Sequence, residues 1–488
     1  MHEEKHPEST DASSTINNND PVGENDPQLD NFYEMHQTDT KNTATSLHSS
    51  TQHASADRDP SQLEKVDTRQ SAKSFKEGGY GWFVCFSAFL CNVANGAVSA
   101  LRTKKIVNCT DLLYPTGVMQ NYYASSVFDG KVSAVQLTFV GTIAFIFING
   151  MGPPMQILKS MIGARVLIGS GCLLMCLGLI LAGFSTQVWH LYLTQGVMFG
   201  LGGSAMYITM MGIVPQWFDK RRGLALGLSA SGSGIGGLIM PFIMNALLQK
   251  YGQGWTYRII GFICLVLGTF ATCLVREKYP SPGRKKISDI VQWSVLKDSN
   301  LVLWCVAATV TLFGYLVPFF YLPAYATSIG LSNAQGSSLI AMISGCNFVG
   351  RITTGYIGDR IGRLNMLIIA MVISALCNLV IWPLSPSLSG LSAFSCIYGF
   401  FCGTYFTMMA AVTAYISKME RFPSAFSVFL MSNIAASFGP PIAGAIQSGT
   451  NPHSFLSVQL FGGCCFLCGA ILMFVLKIKM TKAVFFKV

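Results

Sequence analysis

From residue 82 to residue 477 the chain alternates apolar stretches of about 20 residues with short polar breaks. About 20 apolar residues span a bilayer as a helix, which satisfies its own backbone hydrogen bonds inside lipid. The pattern gives twelve such stretches, roughly 82–101, 132–152, 164–184, 189–213, 222–248, 256–275, 300–324, 335–357, 364–384, 388–414, 422–446 and 456–477. It predicts an all-α membrane protein with an even number of crossings. Residues 1–76 break the pattern: "STINNNDPVGENDPQ" and "SLHSSTQHASADRDPSQ" are polar and low in aromatics. Such a segment cannot build a core and reads as a disordered tail, and it lacks the apolar run of a secretory signal.

Charge sets the expected orientation. Only 11% of the 488 residues are charged, too few to cover a soluble protein of this size. The tail together with Glu77 holds 15 of the 23 acids and five of the seven histidines. Alternate loops carry the cations: Lys159 and Arg165, Lys220 to Arg222, the linker after Arg276, Arg360 and Arg363, Lys418 and Arg421, and four lysines after Val475. The loops near 185–188, 325–334, 385–387 and 447–455 carry no Lys or Arg. By the positive-inside bias the first set and both termini are cytosolic. The expected partners are a lipid bilayer and a small-molecule substrate, with no nucleic acid and no cofactor; the expected state is a monomer in the plasma membrane.

The chain also repeats. Gly163 and Gly362, Arg222 and Arg421, and Pro241 and Pro440 are each separated by 199 residues. Two six-helix halves follow, 77–275 and 300–488, joined by a cytosolic linker at 276–299. In repeat carriers the binding site lies between the halves near mid-membrane, and rocking exposes it to each side in turn.

Three motifs stand out. "GYIGDRIGR" runs from Gly355 to Arg363; its glycines permit a tight turn, and Asp359 can hold an arginine or a helix N-terminus. "WFDKRRGLALGLSASGSG" places Asp219, Lys220, Arg221 and Arg222 before Gly223, Gly227 and Ser231, a small-residue stripe that lets another helix approach closely. The stripe reads either as a rigid seam or as a sliding one. "EGGYGWFV" precedes the first span. The signature loop, Gly355, Gly358, Asp359, Arg360, Gly362 and Arg363, resembles that of the major facilitator superfamily, and the other two motifs resemble its monocarboxylate-transporter branch. The resemblance covers about residues 77–480 and is nearest to fungal members, some of which carry riboflavin. It implies the major facilitator fold and alternating-access transport of a small organic solute. The first-half copy, "GPPMQILKSMIGAR", has Lys159 and Ser160 where an Asp-Arg pair stands in the family, so a matching latch is not expected there.

Few residues within the spans can do chemistry. None of the spans carries a carboxylate: the acids after Glu77 are Asp111, Asp129, Asp219, Glu277, Asp289, Asp298, Asp359 and Glu420. His190 and His453 lie at outer edges. Animal monocarboxylate carriers place an Asp four residues before an Arg in span eight; here Asn347 replaces the acid and Arg351 is kept. Their lysine in span one has no counterpart near Ala100. A facilitative mechanism is therefore expected. Arg351, about 12 Å from the cytosolic end of its helix, reads either as a receptor for an anionic group or as a structural arginine bonded to carbonyls. Asn92, Asn95 and Asn347 read as cavity residues or helix-to-helix bonds. Tyr315, Tyr321, Tyr398 and Tyr405 read as packing first and as ring-stacking groups second. Fourteen of the fifteen cysteines sit in spans without zinc-type spacing.

Residues 101–116, "LRTKKIVNCTDLLYPT", do not fit the outer loop they occupy. They read either as an inserted translated intron or as a long loop with a glycosylation sequon at Asn108. Two functions remain in play, a carrier and a transporter-like nutrient sensor. An enzyme is not expected, because no His, Asp and Glu cluster at one membrane face.

Overall fold

A computed structural model describes residues 78–101, 134–279, 292–451 and 454–481. The tail, Glu77, the 102–116 segment with Asp111 and Asn108, Asp129, linker residues 280–291 with Asp289, His453 and the last seven residues lie outside the described residues.

Among the described residues the secondary structure is helical throughout, and every expected span falls on helix. Helix α1 is Gly81–Leu101, α2 Ala134–Gly150, α3 Gly152–Ile162 and α4 Ala164–Ala182. Helix α5, Val188–Trp217, is wound as a π-helix between Tyr192 and Met198. Helix α6 is Arg222–Leu274, α7 Ser299–Tyr315, α8 Val317–Ser328 and α9 Asn333–Ile361. Helix α10 is Arg363–Ile381, α11 Leu388–Cys402, α12 Thr404–Ser432, α13 Gly439–Thr450 and α14 Leu456–Thr481. A 3-10 turn, Asn433–Phe438, joins α12 to α13.

By length and composition, seven helical lengths among the described residues can cross a membrane. Two are far longer than one crossing needs: Arg222–Leu274 has 53 residues and Leu388–Thr450 has 63. Non-helical residues divide them, Gly252 with φ 71° and Lys418 with φ 56°. Both breaks fall between expected spans. Two shorter apolar lengths, Gly81–Gly96 and Phe139–Gly150, match spans one and two. Helix α9, at 29 residues, is long enough but carries the polar residues of span eight.

Two glycines 199 residues apart take similar backbone conformations. Gly163 ends α3 with φ 81° and Gly362 ends α9 with φ 106°. A side chain at either place would be forced into a conformation that only glycine adopts easily. Each of these glycines starts the next helix as well, so two helices meet without a loop at both equivalent positions.

Helix α6 packs through two glycine faces, because small residues let backbones meet. One face meets α1: a Cβ on Gly236 would lie 2.6 Å from the Val93 carbonyl. The other meets α9: a Cβ on Gly223 would lie 2.7 Å from the Gly355 carbonyl, and one on Gly227 would collide with the Arg351 carbonyl. This second seam continues at Gly234, 3.1 Å from Phe348 Cα by the same measure. Ser231, expected on the stripe, is buried and donates to the Leu228 carbonyl of its own helix.

Candidate functional site

Two features meet along the α6–α9 seam, a clasp at one end and a cavity in the middle. The clasp lies where the charged segments gather, here termed the basic end. The first N–H groups of a helix have no intrahelical acceptor and carry partial positive charge. At the start of α6 those of Gly223 and Leu224 donate to Asp359 of α9, to Oδ1 and Oδ2 respectively, each at 2.8 Å. Arg363 holds the same carboxylate, its Nε donating to Oδ1 at 3.1 Å, while its Nη2 donates to the Asp219 carbonyl at 2.6 Å. Arg222 turns back, Nε donating to the Phe218 carbonyl at 3.0 Å and Nη2 pairing with Asp219 at 3.4 Å. Arg360 bonds the Tyr356 hydroxyl and lies over its ring. Both partners foreseen for Asp359, an arginine and a helix N-terminus, are present together.

The first-half copy is built differently. Lys159 pairs with Glu277 at 2.7 Å, and Ser160 donates to Ile157 of its own helix. Arg165 Nε donates to the Val275 carbonyl at 2.8 Å. Contact with the other half comes from packing, with a Cβ on Gly152 reaching 2.9 Å from Ser427 Cβ. The described part of "EGGYGWFV" braces the same end. The Tyr80 hydroxyl donates to the Leu274 carbonyl at 3.0 Å, Gly81 sits on Trp217, and the Trp82 and Phe218 rings meet edge-on at 4.9 Å.

The cavity measures about 290 Å³ and is lined from both sequence halves. Asn92, Asn95, Phe145, Asn149, Tyr207, Ala230 and Ser233 come from one half. Tyr315, Phe319, Asn347, Arg351, Phe406 and Asn433 come from the other. On α9 the lining runs from Ile340 to Arg351 and on α6 from Ala230 to Gly237. The Gly223 and Gly227 contacts and the Asp359 clasp follow toward the basic end, so the seam between these two helices is packed on that side of the cavity.

Arg351 forms the floor. It is 6% exposed, and α9 runs ten residues past it to Ile361, about 15 Å of helix. Its Nη1 donates to the Ala230 carbonyl at 2.6 Å and to the Ser233 hydroxyl at 2.5 Å, both on α6. The guanidinium carbon lies 5.1 Å from the centre of the Phe406 ring. Its buried Nε has no hydrogen-bond partner. No acid is among the described residues lining the cavity. The carbonyl bond of a structural arginine is therefore present, and donor capacity is left over. A buried cation without a carboxylate is costly, and an anion entering the cavity would offset that cost.

The remaining expected residues separate clearly. Asn92, Asn95, Asn347 and Arg351 share the cavity, with Asn347 donating to Cys402 Sγ at 3.3 Å. Of the four tyrosines only Tyr315 lines it. Tyr321 donates to the Pro440 carbonyl, Tyr398 to the Tyr315 carbonyl and Tyr405 to Asn433 Oδ1, all buried. Sequence reasoning passed over Asn149, Ser233 and Asn433. Asn149 and Asn433 carry the signal that marked Asn92, a lone amide in an apolar span. Phe145 and Phe406 carried no signal, since phenylalanine is equally at home facing lipid. Among the described residues no three His, Cys, Asp or Glu side chains gather as a metal site.

Comparison with known proteins agrees with this architecture. The MFS transporter asaE of Aspergillus flavus is 29% identical over 360 residues, 72% of this chain and 81% of that one. The MFS-type transporter pynF of Aspergillus niger is 30% identical over 363 residues, 73% and 81% of the two chains. The probable transporter MCH2 of Saccharomyces cerevisiae is 28% identical over 395 residues, 79% and 80%. Among solved structures, the E. coli fucose:proton symporter FucP superposes with a TM-score of 0.60 at 16% identity over 80% of this chain and 97% of that one. The human organic anion transporter MFSD10 gives 0.61 at 12% identity over 80% and 98%. Such distant structures speak to the fold. The model of the Major Facilitator Superfamily matches residues 82–387 and 326–485, and with that coverage the chain belongs to the Major Facilitator Superfamily, the transporters built on this helical fold.

Proposed function

We propose that the chain is a secondary carrier of a small organic anion, built as two six-helix halves, 77–275 and 300–488, around the cavity floored by Arg351. The buried guanidinium, with an uncommitted Nε and no carboxylate among the described lining residues, carries this reading. It favours a monocarboxylate-type substrate over uncharged riboflavin. Relatives named as transporters, and one named as an efflux protein in Paecilomyces divaricatus, support flux rather than sensing.

The mechanism follows from the clasp. Twelve crossings with the basic end in the cytosol leave both termini inside and the cavity shut toward the cytosol. Asp359 bridges the halves by holding the α6 N-terminus, and Arg351 adds a second tie from α9 to Ala230 and Ser233. An anion that takes up the guanidinium competes with the Ser233 and Ala230 bonds and loosens the seam. Release of Asp359 then lets the halves rock and opens the cavity inward. Gly223, Gly227 and Gly355 form the surface that must part, with little side-chain interlock to resist it. With no carboxylate among the described lining residues to carry a proton, the reading is of a facilitative carrier. Placement in the plasma membrane and action as a monomer complete the proposal.

The test is flux in proteoliposomes with short monocarboxylates and riboflavin as probes. Arg351→Ala should abolish anion transport at normal yield and monodispersity; full activity would refute the assignment. Uphill uptake driven by a pH gradient alone would remove the facilitative mechanism while leaving the site intact.

A further inference from the structure

Five asparagines among the described residues line the cavity, and three of their amides are oriented by bonds to their own helices. Asn92 Nδ2 donates to the Ala88 carbonyl at 2.9 Å, Asn95 Nδ2 to Cys91 at 3.1 Å and Asn149 Nδ2 to Phe145 at 2.9 Å. A carbonyl oxygen only accepts, so each of these amides must turn its nitrogen to its own helix. Asn95 Oδ1 is buried against Gly203, where a Cβ would come within 2.7 Å of it, and is closed to a ligand. Asn92 and Asn149 are left with an acceptor, Oδ1, for a bound molecule. An acceptor left without a donor in a site shut off from water is an unfavourable state that a ligand donor relieves.

The lining from the second part of the sequence supplies the donors. Arg351 offers Nε, and Asn433 has its Oδ1 taken by the Tyr405 hydroxyl at 3.2 Å, leaving its nitrogen. Asn347, whose Nδ2 goes to Cys402, keeps an acceptor there. Rings share the cavity: Tyr315 meets Phe406 at 5.1 Å and Phe319 at 5.3 Å, and Phe145 and Tyr207 also line it. Among the described lining residues Arg351 is the one cation, and none is an acid.

We infer that the substrate is a ring-bearing monoanion with a hydroxyl or N–H donor remote from its anionic group. The inference rests on the reading of Arg351 as the anion receptor and adds the ring and the donor. The anion lies on Arg351, the flat body against the aromatic side chains, and the donor on the Asn92 and Asn149 oxygens. A dianion would leave its second charge against acceptors. A lactate-sized molecule would reach one wall only.

Equilibrium binding to the purified full-length chain tests this with four probes: para-hydroxycinnamate, its methyl ether, para-hydroxycinnamamide and lactate. The phenol should bind roughly tenfold tighter than the ether, the scale of one buried hydrogen bond. The neutral amide and lactate should be weaker still. The double variant Asn92→Leu with Asn149→Leu should erase the preference for phenol over ether; should that variant fail to fold, the wild-type ratio decides alone. Equal binding of phenol and ether, with both above the amide, overturns the acceptor wall and leaves the anion carrier standing. Lactate competing as well as the phenol overturns the ring. The amide matching the carboxylate, or no probe binding, removes the Arg351 reading and this inference with it.

Discussion

Asp359→Asn probes the clasp at its narrowest point. The carboxylate receives Gly223 N–H and Leu224 N–H on separate oxygens at 2.8 Å, and Arg363 as well. An amide keeps one acceptor and turns an NH2 toward the other donor. Hydrogen bonds to charged groups contribute roughly 1.5–3 kcal/mol each. The attraction of a carboxylate to a helix N-terminus adds about 0.3–1 kcal/mol. In an open gate both partners find water, so the lower end applies and the closed form loses about 2 kcal/mol. At 1.4 kcal/mol per factor of ten, the open-to-closed ratio rises roughly thirtyfold. Hydrogen exchange on the intact chain in nanodiscs reads this without labels. Loss of a cap alone speeds exchange at Gly223 and Leu224. Opening of the gate also speeds it along Thr354–Ile361 on the facing helix and lowers flux. Exchange confined to the two capped amides, with transport unchanged, would reduce Asp359 to a local cap and refute the gate.

Other substitutions test neighbouring steps. Gly227→Val puts branched carbons onto the Arg351 carbonyl and should push the halves apart, with flux falling at least tenfold and exchange along α9 rising. Asn347→Asp places a carboxylate four residues before Arg351 on one helix face; the pair should weaken anion binding about tenfold at neutral pH, as read by equilibrium titration. Gly362→Ala, at φ 106°, should lower thermal stability by about 1–2 kcal/mol. Ser160→Asp, three residues before Gly163 as Asp359 is three before Gly362, should leave flux and exchange unchanged, because the Phe422–Pro423 start of the facing segment offers at most one backbone N–H.

Helix was legible along the whole apolar part of the chain because lipid permits little else, and period and length alone reveal it. The hinge glycines were legible as well: Gly163 and Gly362 share an offset and both take a positive φ that glycine alone tolerates cheaply. Asp359 could be read as seeking a cation or a helix terminus, since a carboxylate at a membrane face has few other partners. Which terminus it found, that of α6 from the other half, is a contact over 136 residues that no local pattern encodes. The contact with α9 that begins at Gly223 and Gly227 runs on to Gly234, because the crossing of the two helices sets which face stays in contact. Asn149, Phe145, Phe406 and Asn433 joined the site only through packing of helices distant in sequence. Sequence alone determined what must lie in a membrane and which groups are costly there, since solvation acts residue by residue. The tertiary structure alone decided which of those groups face one another, because that depends on how distant helices cross.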